Sequence, residues 1–131
     1  MTTSKNLWSD EIGHATIKVP KTILVEQANY FNEMTKNRLV AKVHSKHVLN
    51  KEGDNVIAHD FDIVSPFLGN YTFTLFSVVH GINMYPIWEV HSHLGGSAYN
   101  KVTEEKFEKV LSEIMTHKST VDAINGLLAQ A

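Results

Sequence analysis

The sequence predicts an α+β protein: one N-terminal helix, a four-stranded antiparallel meander and two C-terminal helices packed mainly on one face of the sheet. Three observations predict it. Apolar residues recur at helical spacing over residues 22–36 and again beyond residue 102. Between residues 38 and 93 they alternate with polar ones at the period of two that a half-buried strand requires. Clusters of Gly, Asn, Asp, Pro and Ser punctuate the alternating runs.

With 131 residues, 43% hydrophobic and 20% charged, the chain has the size and composition of one globular domain spanning residues 1–131. Residues 1–13 are polar apart from Leu7, Trp8 and Ile12, which makes them a flexible or docking arm. Residues 14–19 alternate Ala15, Ile17 and Val19 with polar partners, the pattern of a short strand. Pro20 then opens a segment in which Leu24, Ala28, Phe31 and Met34 share a stripe, predicting a helix over residues 22–36 that stops at Asn37.

Leu39, Ala41 and Val43 alternate with Arg38, Lys42 and His44, and after the turn cluster of residues 50–55 Ile57, Phe61 and Ile63 alternate with Asp60 and Asp62. Pairing like faces sets Lys42 opposite Asp62 and His44 opposite Asp60, two favourable cross-strand charge pairs. Residues 70–93 read as a second hairpin with a two-residue turn at Gly81 and Ile82, since glycine readily supplies the positive φ such a turn needs. That turn aligns Val79 with Met84, Leu75 with Trp88 and Phe73 with Val90 on the core side. Residues 94–101 read as a loop. Thr103 is the expected N-cap of the next helix, with Glu104 and Glu105 in its first turn and Val102 stapled on Phe107. The last helix begins at Ser119 and turns Val121, Ile124, Leu127 and Leu128 inward.

Composition narrows the function. Twelve basic against fourteen acidic residues leave a charge of -2, too little positive field for nucleic acid. The absence of cysteine removes disulfides, thiolate ligands and thiol nucleophiles together. No segment has the length of an apolar membrane span and the first residues lack a signal-peptide core, so a cytoplasmic location without membrane contact is expected.

Two constellations compete for a role. Glu89, His91 and His93 lie two apart on a strand, a spacing that lets their side chains face one zinc ion, with His80 as the next ligand and His44 a more distant one; solvated edge-strand residues give the same pattern with no metal. The hairpin register also leaves Phe76, Val78, Tyr85 and Ile87 on the face opposite the expected core, an apolar patch to be covered either from within the chain, by Leu7, Trp8 and Ile12 or a helix, or by another molecule. His59 falls opposite Ser45 with His47 further along, which reads as a buried imidazole satisfied by a hydroxyl. No nucleophile elbow, H-E-x-x-H helix or Walker lysine is present. The expectation is a non-enzymatic cytoplasmic interaction module without a cofactor, self-associating as a homodimer or binding another protein through Phe76, Val78, Tyr85 and Ile87. The alternative is a metal- or small-ligand-dependent enzyme built on Glu89, His91, His93 and His80.

Overall fold

The first helix of the computed structural model, which describes residues 3–131, starts at Pro20 rather than residue 22. Proline suits that position because its φ is already helical and its missing N–H is one that a helix start leaves unpaired. Helix α1 (Pro20–Met34) buries Ile23, Leu24 and Ala28 against the sheet. It stops where Lys36 and Asn37 take φ of 53° and 60°, a left-handed region that asparagine tolerates well. The Thr35 hydroxyl lies 3.0 Å from both the Phe31 and Leu39 carbonyls, to which it donates, and so fixes the corner.

The sheet follows as a meander of five strands in sequence order: β1 (Val40–Leu49), β2 (Asn55–Ser65), β3 (Tyr71–His80), β4 (Ile87–Ser92) and β5 (Ala98–Val102). The first hairpin has the expected alignment, Lys42 opposite Asp62 and His44 opposite Asp60. Its turn is held by the Asn50 side chain, which accepts from the backbone N–H groups of Glu52 and Asp54. The fifth strand was expected to be loop. Gly95 and Gly96, at φ of 90° and 69°, reverse the chain so tightly that Ala98 is already paired with His91. The expected strand at residues 14–19 does not form: that segment is exposed, unpaired and fastened only at its end, where Glu104 accepts from the Lys18 N–H at 2.8 Å and the Tyr85 hydroxyl donates to the Lys18 carbonyl.

The second hairpin differs most from expectation. Gly81 is not in the left-handed region, β3 runs to His80, and residues 81–86 form a longer connection in which Met84 has φ of 65°. Pro86 cannot donate to a ladder, so β4 begins after it. Val78 therefore pairs with Val90 and Val79 with Glu89, and the Leu75 carbonyl accepts from His93 rather than facing Trp88. An odd shift of five residues turns side chains to the other face. A β-bulge adds a second change: Phe61 pairs with Phe76 but Asp62 with Thr74, leaving Leu75 unopposed. Such a bulge kinks the strand and puts Leu75 and Phe76 both inward.

Helices α2 (Glu104–Met115) and α3 (Lys118–Ala129) complete the layer on the same side as α1. Thr103 holds the N-cap position of α2 without a side-chain capping bond, and His117 caps α3 by accepting from Ser119. One buried cluster joins α1, the sheet and α2 through Leu24, Phe61, Ile63, Phe76, Phe107 and Leu111. Helix α3 buries only Thr120 completely; Ile124, Leu127 and Leu128 are half-covered and Val121 is exposed.

Asn32 ties α1 to the edge strand β1. Its amide accepts from the Ala41 N–H at 2.7 Å and donates to the Ala41 carbonyl at 3.3 Å, satisfying backbone groups that would otherwise lack partners. Asn32→Ala should cost about 1–3 kcal/mol in urea unfolding, the penalty for leaving partly buried polar groups unpaired.

Candidate functional site

The four residues expected to form a partner surface lie elsewhere. Phe76, Val78 and Ile87 are fully buried, with the Phe76 ring stacked on Phe61 at a centroid distance of 5.0 Å. Tyr85 is half-buried in the connection before β4, its ring edge-on to Phe107 at 6.1 Å. The shifted hairpin is the cause on β3, whose Phe76, Val78 and His80, assigned to solvent, lie on the side the helices cover, while Val90 keeps the inner side. Trp88, assigned to the core, is 41% exposed.

The histidine row is split by the sheet. Glu89, His91 and His93 lie on the outer face, where Glu89 is 3.8 Å from His91 and the His91 and His93 rings are 5.0 Å apart. His80 points to the inner face. Among the described residues no three His, Asp or Glu side chains converge on a metal-binding point. The outer groups are engaged with one another instead. Ser77 donates to Asp60 at 2.7 Å, so it accepts from His93 Nε2 at 3.0 Å; Thr74 donates to Asp62 at 2.7 Å, and Lys46 approaches Asp60 at 3.9 Å.

On the inner face His80 belongs to a different constellation. Ser45 Oγ is 2.7 Å from His59 Nδ1, His59 Nε2 is 2.9 Å from His80 Nε2, and His80 Nδ1 is 2.8 Å from the Gly81 carbonyl. The roles follow from the one group that can only accept. The Gly81 carbonyl accepts a hydrogen bond from His80 Nδ1–H, so in the uncharged pair His80 Nε2 offers a lone pair, His59 Nε2–H donates to it, and Ser45 donates to His59 Nδ1. All four ring nitrogens of the two histidines have partners. Burial, then the neighbouring His80, then Lys21 push the His59 pKa down to about 4, with Asp60 opposing them weakly. This imidazole is neutral at physiological pH, which makes it a stable structural partner and a weak base.

A mainly apolar concave feature lies between α1, α3 and the sheet. A cleft of about 530 Å³ is floored by Phe61 and Leu75, walled by Phe31, Met34 and Tyr30 of α1 and by Val121, Ile124 and Leu128 of α3, and closed at one end by Met115. Four polar residues also line it: Gln27, Thr35, Thr120 and Asn125. Thr35 and Thr120 donate their hydroxyls to backbone carbonyls, the latter to Ile114 at 2.7 Å, so the amides of Gln27 and Asn125 are its main polar handles. Among the described residues no charged side chain and no histidine lines it.

The cleft follows directly from two local features. The bulge turns Leu75 out of the ladder toward the helices, and α3 packs loosely enough to stand away from α1. Sequence periodicity missed both, because it assigned Met34 and Val121 to buried stripes although they are 74% and 43% exposed. The available signal was Thr120 and Asn125 within the otherwise apolar face of α3. Comparison with protein-family models, with curated proteins and with solved structures finds no match to this chain.

Proposed function

We propose that the protein is a non-enzymatic binding module whose site is the α1–α3 cleft and whose ligand is a small, uncharged, mainly apolar molecule. The observation that carries this reading is the cleft itself, about 530 Å³ and lined without a single charge. Small-molecule sites commonly measure roughly 300–1,000 Å³, with apolar walls and a few placed polar groups. The walls supply dispersion and burial, while Gln27 and Asn125 can bond one hydroxyl, carbonyl or ether of the ligand.

Charge sets the selectivity. A buried carboxylate would find no cation in the cleft, and an unpaired buried ion is costly. The ligand class is therefore alcohols, esters, ketones or aromatic hydrocarbons rather than fatty acids. Helix α3 supports entry, because an element with few fully buried contacts opens at lower free energy than the core.

Uncharged Nile red titrated into the protein is the first test. Its emission should rise and shift to the blue, and dodecanol should displace it at least about tenfold more effectively than dodecanoate, since about 1.4 kcal/mol of desolvation penalty suffices for that factor. Ile124→Trp, which fills the cleft from a half-buried position, should weaken the dye by a similar factor while leaving the far-ultraviolet circular dichroism unchanged. Equal dye binding by wild type and Ile124→Trp would place the ligand elsewhere and defeat the reading.

A further inference from the structure

We infer that the N-terminal arm of one chain seats on the mouth of the cleft of a second copy, so that two chains exchange arms in a symmetric homodimer. The ligand reading concerns the interior of the cleft; this inference concerns the arm and the mouth of the cleft, where Tyr30, Met34 and Val121 serve both.

The arm is an unpartnered apolar element. Residues 3–19 are exposed throughout, and Leu7, Trp8 and Ile12 are 84%, 78% and 62% exposed. Its shape comes from its own turn, in which Ser9 accepts from Ile12 and Glu11 accepts from His14. Only its root at Lys18 is held, by Tyr85 and Glu104. The cleft mouth is the matching concave feature: Tyr30, Met34 and Val121 are 63%, 74% and 43% exposed around it. Charge does not select the fit, since Lys5 precedes Leu7 and Trp8 but Asp10 and Glu11 follow them, and Glu26 and Glu33 flank Tyr30 on α1; apolar area carries it.

Area favours a second copy as the occupant. Three large side chains present roughly 400 Å² and cover as much on the partner, and two exchanged arms together bury roughly 1,600 Å², the size of an ordinary stable interface. A two-fold exchange is self-complementary and closes, so the arm and the cleft mouth of both chains are covered together. Within one chain the arm lies clear of its own cleft, as the exposure of Trp8 records.

Size-exclusion chromatography with light scattering on ligand-free protein tests this. Wild type should have twice the monomer mass, and both Leu7→Ser/Trp8→Ser on the arm and Met34→Glu on the rim should have the monomer mass. These positions are exposed, so the fold should survive, and unchanged circular dichroism checks that it does. A monomeric wild type overturns the inference, as does a dimer that persists in either variant. Nile red binding by the arm variant, whose cleft mouth is open, separates the two claims: a monomer that binds dye retains the cleft site, whereas a monomer that binds none fails the ligand reading alone.

Discussion

Phe76→Ala is expected to destabilise the protein by about 3–5 kcal/mol, and Phe76→Asp to leave it unfolded. Phe76 is wholly buried, stacked on Phe61 across the β2–β3 ladder and paired with Ser92 on the other side, so truncation removes the hydrophobic transfer of a benzyl group and opens a cavity that neighbours on three strands cannot collapse to fill. Asp at the same position would bury a carboxylate without a partner. Ile82→Ala is the control, because Ile82 sits in the connection after β3 at 90% exposure and its loss should change stability by no more than about 0.5 kcal/mol. Urea unfolding monitored by fluorescence reads all three variants. A Phe76→Ala protein as stable as Ile82→Ala would mean that Phe76 is a surface residue and that the β3–β4 alignment described above is wrong.

The second large effect is acid destabilisation through His59. Its folded pKa of about 4 lies below the ordinary value of 6.5, so the unfolded chain binds the proton more readily. The stabilisation from burying a neutral imidazole is fully present above pH 6.5 and is lost progressively as pH falls from there toward 4. The full shift corresponds to about 3 kcal/mol. The groups that face this ring set the outcome: His80 and Lys21 resist the incoming charge and Asp60 favours it. Urea midpoints measured across the interval should fall steeply for wild type and more gently for His59→Gln, which can still bond Ser45 and His80 but cannot titrate there. Parallel profiles for the two proteins would remove His59 from the account.

Much of the fold was legible because it rests on local chemistry. The β1–β2 register follows from alternation plus a turn cluster of definite length, and the pairs Lys42–Asp62 and His44–Asp60 are where like faces must put them. Helix α2 announces itself by Glu104 and Glu105 in its first turn and by Phe107, Val110, Leu111 and Ile114 on one stripe. The second hairpin was not legible, since both faces of β3 carry large apolar residues and alternation alone cannot choose between them. The choice fell to the turn, and Gly81 looked sufficient for a tight one; the chain instead turns over residues 81–86. A bulge is harder still to anticipate, because it changes the count of residues without leaving a compositional mark. The His59–Ser45 contact was legible from register alone, whereas its continuation to His80 required the corrected face.

The extra residue at Leu75 has a consequence for how this scaffold can vary. It lets Phe73 and Phe76, three apart, belong to one inner surface, so the phase of the whole strand is governed by length there rather than by side-chain identity. Swapping Leu75 for a larger or smaller side chain would tune the volume beneath α3. Deleting it would close the bulge and leave a plain alternation, Phe76 inward, Thr74 outward and Phe73 inward, with the pairs Asp62–Thr74 and Ile63–Phe73 kept. The strand can lose a residue at this one point without turning its side chains, which a deletion anywhere else along it would do.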